Sequence, residues 1–422
     1  MKKIYFIFLV PLFLHSQNLE ELVNLSIQNK LVDSSQKSLD SIKDEYKSIQ
    51  SGNLPSLDIG ANHAITDEET ASVPKSSSKA YGSLSYELYD GGKKYDIYDS
   101  YESTIKSSEE SVEALRNDIS LNVINYYYNY LSYVSQKEAK EKEIEQLDSQ
   151  LTRLSRFLNA GTTTEDEVQK IVSRLENAKV TLQELELEML TILHNLEYIT
   201  GEKVSIDAGS NVKELENQAQ SDSRFDLKSM EYNLDSKLSK AKSEKSANLP
   251  TITLDSTYTY YDKNYDGNYS SAPDKQNILS ANLKWNLFSF GETKYKYESK
   301  YKEYLSSKSK YEYEKNRANV DLQLALKSYD IAKLKIKSSE ANLKAANLTY
   351  DVIKSKYENG LIDNVAFLES LSEKFTALSQ LKTSLNELEI KKAKILYYSG
   401  KKLGEYIKWW NKVESWLQVK NQ

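Results

Sequence analysis

"YENGLIDNVAFLESL", residues 357–371, interrupts a long helical pattern. Asn359-Gly360 ends one helix, because glycine takes up the left-handed conformation that terminates helices, and Asp363 or Asn364 caps the next. The stretch "LNAGTTTEDEVQKIV", residues 158–172, repeats the plan around Gly161, with Thr164 and Glu167 spaced as a capping box. The two glycines are 360 − 161 = 199 residues apart. A helix that stops and restarts twice at a fixed interval reads as two helical hairpins in a duplicated chain.

The interval extends beyond the glycines. "YELYDGGK" begins at Tyr86 and "WNLFSFGE" at Trp285; "YITG" ends at Gly201 and "YYSG" at Gly400; Tyr130 falls on Tyr329. Upstream, the "NLP" ending at Pro55 and that ending at Pro250 differ by 195, so the second copy carries four extra residues before Trp285. Each repeat reads helix, two strands, very long helix, break, shorter helix. This gives a first repeat over 17–207, a second over 208–400 and a tail over 401–422, expected to pack near the helical part.

Around Gly161 the apolar residues fall three and four apart: Ile144, Leu147, Leu151, Leu154 and Leu158, then Val168, Ile171, Leu175, Ala178, Leu182, Leu185, Met189, Ile192, Leu196 and Ile199. This is the seam of a left-handed coiled coil. In the second copy Ala346, Tyr350, Ile353 and Tyr357 keep the rhythm, and Leu371 to Leu388 match it less well. Neither Gly nor Pro occurs from Lys93 to Asn159, so these 67 residues predict a helix of roughly 100 Å. Its counterpart starts at Lys294. Helices this long with narrow seams need neighbours, so the chain is expected to oligomerise.

Between the helices the period changes to two. In "TITLDSTYTYY" Ile252, Leu254, Tyr258 and Tyr260 share one side; in "ILSANLKWNLF" Leu279, Leu283, Trp285 and Leu287 do; in "YGSLSYELY" Leu84, Tyr86 and Leu88 do; "LDIGANHAI" is a weaker match. Alternating runs of about 10 residues fit transmembrane strands, with these side chains facing lipid. The loops joining the strands are long and polar. Tyr81, Tyr89, Tyr261, Phe288 and Phe290 lie near strand ends, where aromatic residues sit at a membrane surface.

Composition fits this reading. The 422 residues include only 13 Gly and 5 Pro, 28% are charged, and the mean hydropathy is −0.64, as for long exposed helices. "MKKIYFIFLVPLFLHSQ" places two lysines before a short apolar run and Ser16 at a cleavage position, which reads as a signal peptide over 1–16. Its removal takes the net charge from −6 to −8, which excludes a nucleic-acid binder. There is no cysteine, hence no disulfide and no thioether lipid anchor. After residue 17 no apolar stretch of about 18 residues occurs, so membrane entry would be by strands. His63 and His194 have no metal-ligand spacing, and "DGGK" at 90–93 is a turn from strand to helix, so no catalytic residue, metal or cofactor is expected.

Signal peptide, doubled plan, "LP" before a strand, an aromatic-rich stretch with Gly before the long helix, and the glycine-marked breaks together resemble the TolC-like outer membrane efflux protein family, over about Asn18 to Gly400. The resemblance implies a mainly α chain with a small membrane β part: long coiled-coil helices forming an α-helical barrel in the periplasm, plus four transmembrane strands per chain completing a trimeric twelve-stranded barrel in outer-membrane lipid. It implies the exit duct of a tripartite efflux pump or type I secretion system, with a periplasmic adaptor and an inner-membrane transporter as partners. The tip turns, Gly161-Thr162 and Gly360-Leu361, would then meet the adaptor.

The family's tips carry acidic residues that narrow the entrance. By alignment from the glycine, a pair of aspartates falls on Ala366 and Glu369, a tip Asp on Glu167, its Arg partner on Ile362 and a tip tyrosine on Tyr357. Glu369 is therefore the expected centre of an entrance ring, with Asp363, Glu167, Asp166 and Glu165 adding negative field. Solvated-surface or capping roles compete with this. A trimeric coiled-coil adhesin is the rival reading; it explains signal and heptads but neither the strand pairs nor the duplication.

Overall fold

The structure, a computed structural model, describes residues 16–214, 221–266 and 273–409. The expected signal peptide lies outside these residues except for Ser16, and of the tail only 401–409 is described, which leaves out Trp410 and Trp416. The chain divides into two compact units, one made of Ser35–Ser111 and Asp226–Glu314, the other of Met1–Ser34, Val112–Phe225 and Lys315–Gln422.

The first unit holds an antiparallel sheet of four strands, β1 (Ser56–Ile65), β2 (Ser76–Tyr89), β4 (Thr251–Asn264) and β5 (Lys275–Lys284), in the order β1-β2-β4-β5. Register sorts the side chains. Leu57 pairs with Leu84 and Leu84 with Ser256; Gly82 pairs with Tyr258, Ala80 with Tyr260, Tyr86 with Leu254, and Ile252 with Leu283. One face therefore carries Leu57, Ile59, Leu84, Tyr86, Ile252, Leu254, Tyr258, Tyr260, Leu279 and Leu283, and the other carries Asp58, Ser85, Glu87, Thr253, Asp255, Thr257 and Asn282. On the polar face Asp255 accepts from Ser85 at 2.6 Å and from Asn282 at 2.8 Å. The apolar face is bare: Ile59 is 87% and Leu279 78% exposed.

Three expected lipid-facing residues depart from the pattern. The β2–β4 register shifts between Glu87 and Tyr89, so Leu88 is the extra residue of a bulge and Tyr89 stands opposite Ile252. Trp285 and Leu287 lie beyond the end of β5; the Trp285 indole donates to the Asn248 carbonyl at 3.0 Å. Alternation alone runs through a bulge and past a strand end, because it carries no register.

Helices of the same unit follow the strand order. From α2 (Lys30–Gly52) to α3 (Lys93–Asn159), the ring of Tyr46 stacks on Tyr101 at 6.1 Å and Lys43 pairs with Glu109 at 2.8 Å. The meeting of α3 with α5 (Phe225–Ser243) is hydroxylic: Ser100 Oγ lies 3.0 Å from Ser236 Oγ, and Ser107 Oγ 3.1 Å from Ser229 Oγ. From α5 to α6 (Glu292–Glu358), Lys237 donates to Ser307 at 2.5 Å. The start of α3 is fixed by Asp90, whose carboxylate accepts from Gly92 N at 3.0 Å and Lys94 N at 2.6 Å.

In the second unit the core gathers α1 (Leu19–Ser26), α3 from Val112, α4 (Glu165–Thr200), α7 (Asn364–Tyr398) and a two-stranded sheet of β3 (Ser210–Val212) and β6 (Ile407–Trp409). Leu19, Leu22, Ile124, Tyr127, Tyr128, Leu196, Leu396 and Leu403 are its most deeply buried large side chains. Tyr127 and Tyr128 meet edge to face at 5.0 Å, and their hydroxyls donate to the carbonyls of Asp207 at 2.7 Å and Ser210 at 2.9 Å. The tail thus packs into this core through Leu403 and Ile407. Farther along, Leu147, Leu175 and Ala178 are buried together with Ile144 and Leu151 beside them, on the expected α3–α4 seam. The α7 counterpart buries Ser370, Ser372, Ala377, Ser379 and Ser384 beside Val365 and Leu368, which is why its apolar rhythm is faint.

Gly400 ends α7 at φ 66°, and a Cβ there would come within 2.3 Å of the Ser223 backbone. Left-handed backbone alone costs a non-glycine residue about 1–2 kcal/mol, so Gly400→Ala is expected to lower the thermal unfolding temperature read by circular dichroism in detergent. Gly404→Ala, where a Cβ meets nothing within 4 Å, is expected to leave it unchanged.

Candidate functional site

Both helix reversals have the same backbone geometry. Thr162 N donates to Phe157 O and Leu361 N to Lys356 O, each at 2.9 Å; Gly161 N reaches Leu158 O and Gly360 N reaches Tyr357 O, again at 2.9 Å. With φ 71° at Gly161 and 72° at Gly360, these are two Schellman caps 199 residues apart.

The restarting helices differ. Asp363 caps α7, accepting from Ala366 N at 2.9 Å. Thr164 precedes α4 in extended conformation but makes no cap hydrogen bond; its hydroxyl donates to Asp166, so the expected capping box with Glu167 does not form. The Thr164 hydroxyl and Lys170 hold the Asp166 carboxyl below the usual range. Lys170 reaches Asp166 at 3.1 Å and Glu167 at 3.2 Å, and Glu165 completes an exposed acidic first turn.

The hairpins are tied to each other near these turns. Asp363 forms an ion pair with Arg153 of α3, whose guanidinium lies 5.2 Å from the Phe157 ring centroid. Asn364 donates to Ser149 at 3.0 Å. Phe367 of α7 stacks on Tyr357 at 4.8 Å and sits 5.8 Å from Tyr350, both on α6. Tyr357 is thus part of an aromatic seam. Leu361 is 74% exposed at the turn.

Arg153 was not among the residues singled out from sequence. A signal was present: the chain has six arginines among 56 basic residues, and in a lysine-rich chain an arginine marks a fixed partner, since its planar fork holds a carboxylate that an ammonium only attracts.

Glu369 stands apart from the turns. It lines a cavity of about 600 Å³ walled by α3, α4, α6 and α7, together with Glu143, Arg174 and Glu373. Lys140 neutralises Glu143 at 2.6 Å. Within one chain the expected entrance carboxylates therefore occupy three neighbourhoods: Asp363 with Arg153, Glu165 to Glu167 with Lys170, and Glu369 in the cavity. Among the described residues no group of His, Cys, Asp and Glu could hold a metal ion. The site can concentrate charge.

The family described as outer membrane efflux protein matches residues 22–202 and 217–400. None of the curated proteins matches the chain in sequence. Among solved structures, the CmeC outer membrane channel of Campylobacter jejuni is 18% identical, with a TM-score of 0.77 over 95% of this chain and 88% of that one. A membrane protein from Pseudomonas aeruginosa is 17% identical, with a TM-score of 0.76 over 90% and 93%. The outer membrane protein VceC of Vibrio cholerae is 13% identical, with a TM-score of 0.74 over 91% and 96%.

Losing the Asp363 cap costs α7 about 1 kcal/mol, or roughly fivefold faster amide exchange in its first turn. Asp363→Ala is expected to show this in hydrogen-exchange mass spectrometry over 364–370. Asp363→Asn, which keeps a capping oxygen and loses the charge paired with Arg153, is expected to accelerate exchange less.

Proposed function

Because the chain belongs to the outer membrane efflux protein family, we propose that three copies form one exit duct of a tripartite pump or type I secretion system in the outer membrane. In this reading the duct carries small molecules or proteins from the periplasmic side to the exterior. A periplasmic adaptor would engage the turns at Gly161-Thr162 and Gly360-Leu361, and an inner-membrane transporter would supply energy and select the cargo. The chain itself would perform no chemistry.

One observation carries the reading. The sheet has an apolar face on one side, a polar face on the other, and two strands, β1 and β5, each paired on one edge only. In hydrocarbon an open edge leaves backbone groups without partners, so such a sheet must close on itself or on copies. Three copies of four strands give the twelve that the family resemblance implies. The helices make the same demand: Val320, Leu324, Ile331, Leu334, Leu348 and Val352 line α6 at heptad-like intervals and are exposed in the single chain. An adhesin stalk has no use for the sheet.

At the entrance, Glu369 would supply the main negative field, since a group on the duct side of one chain recurs three times around the axis and low-dielectric walls focus its potential. Ala366 and Ile362 remove a carboxylate and a guanidinium from the family's pattern, and Arg153 with Asp363 would take over the tie between hairpins.

Single-channel recording in planar bilayers tests the duct and its ring together. The purified protein is expected to conduct with cation preference, and Glu369→Gln to lower that preference and weaken block by trivalent cations; absence of conductance overturns the duct, and an unchanged Glu369→Gln channel overturns the ring. A Cβ at Gly161 or Gly360 meets nothing within 4 Å, but Gly161→Val and Gly360→Val force φ near 70° on a β-branched residue. Each is expected to abolish export in cells while leaving the amount of oligomer in the outer membrane unchanged.

A further inference from the structure

The polar face of the sheet changes sign along its length. Residues directly opposite one another on paired strands share a face, so the register sorts this face into rows. Starting from the end that bears the helices, Lys284 stands across from Thr251, and the next three rows carry one carboxylate each: Glu87 across from Thr253, Asp255 across from Ser85, and Asp58 across from Ser83. The row that joins Gly60, Tyr81 and Thr259 has no charge. The two rows nearest the loops are basic: Lys79 across from Asn62 and Tyr261, then Lys263 across from Ser77. Within the strands no Asp or Glu shares these rows, since Asp262 lies on the other face, across from Ser78.

The two lysines belong together. Lys263 follows Tyr261 along β4 by two residues, and its ammonium lies 4.3 Å from the Tyr261 ring centroid. As diagonal neighbours on antiparallel strands, Lys79 and Lys263 stand roughly 7–8 Å apart at the backbone, close enough for both ammoniums to reach one polyanion. Tyr81 lies over Gly60, where a Cβ would come within 2.4 Å of its ring. The row beside the lysines is thus walled by an aromatic side chain and supplies no countercharge. The loops beyond carry Asp67, Glu68, Glu69, Asp266 and Asp274, and Glu69 is turned to the backbone N of Asp266 at 2.8 Å. Salt screens such solvated loop charges over about 10 Å at 0.1 M, whereas charge on a wall backed by lipid is focused into the lumen.

Resting on the duct reading above, in which the polar face lines the lumen and the loop end faces the exterior, we propose that Lys79 and Lys263 form an anion-binding belt at the outer mouth. Three copies of two lysines place six ammoniums around one lumen. The belt holds carboxylate, phosphate or sulfate groups of passing cargo and slows inorganic cations. It opposes the preference set by Glu87, Asp255 and Asp58 deeper in the barrel, so a molecule carrying both signs of charge meets an attractive group in each zone.

Full-length protein in planar bilayers at about 0.1 M KCl tests the belt, with inositol hexakisphosphate as the polyanion. Wild type is expected to be blocked. Lys79→Gln/Lys263→Gln is expected to raise the half-blocking concentration on the order of tenfold and to shift the reversal potential in a KCl gradient toward stronger cation preference. Lys275→Gln removes a lysine from the same end of the sheet but from the other face, across from Tyr260, and is expected to change neither. A conducting wild type that is not blocked, a double variant blocked as before, or an equal loss of block in Lys275→Gln overturns the belt and leaves the duct standing. A wild type that does not conduct overturns both.

Discussion

Backbone hydrogen bonding in hydrocarbon is the constraint from which the architecture follows. Water satisfies the free edge of a sheet; lipid does not. The four-stranded sheet satisfies its three internal ladders and leaves one ladder's worth of groups on β1 and on β5. Its alternating faces, Leu and Tyr on one side and Asp, Ser and Thr on the other, set a boundary between lipid and water only if the sheet curves into a closed wall. Duplication makes the closure economical. One repeat contributes two strands and one helical hairpin, and the same two-fold plan inside the chain can be continued from chain to chain.

The two hairpins are made of different material. Around Gly161 the seam is Leu, Ile and Val, with Leu147 and Leu175 fully or nearly fully buried. Past Gly360 the buried face of α7 is largely serine and alanine, held by contacts such as Ser339 Oγ to Ser384 Oγ at 3.0 Å. Burying a leucine contributes on the order of 2 kcal/mol, whereas a hydroxyl pair exchanged for water contributes about 1. The second hairpin is thus the less firmly fixed. Between its turn and the apolar core that Ala393 and Leu396 share with α3, its ties to α3 include discrete polar pairs: Asn386 with Ser132, Lys382 with Glu138, and Asp363 with Arg153. Such links can be exchanged one at a time without opening an apolar core.

Much of this was legible before any coordinate. The glycines at 161 and 360, the 199-residue interval, the α4 seam and the apolar face of β4 all depend on local chemistry that a sequence displays. What escaped depends on partners distant in sequence. Leu88 obeys the alternation of β2, yet the bulge that displaces it is set by pairing with β4. Thr164 and Glu167 have the spacing of a capping box, but the Thr164 hydroxyl donates to Asp166, and Lys170 one turn on pairs with both Asp166 and Glu167. Arg153 acquires its role only when Asp363, 210 residues later, arrives beside it. The carboxylates named for the entrance were individually visible. Their separation into three neighbourhoods was not, because proximity across four helices leaves no periodic trace.

The short sheet of β3 and β6 sets an order of events. Val212 pairs with Ile407, and Leu403 and Ile407 fill the core that Leu19 and Tyr128 begin. A chain emerging amino-end first therefore carries this core unfinished until Leu403 and Ile407 have crossed the inner membrane. Non-local closure of this kind is slow, and it holds apolar surface open for the periplasm's chaperones during transit. A chain lacking the segment that bears Leu403 and Ile407 would leave this core open and would present no finished subunit to its neighbours.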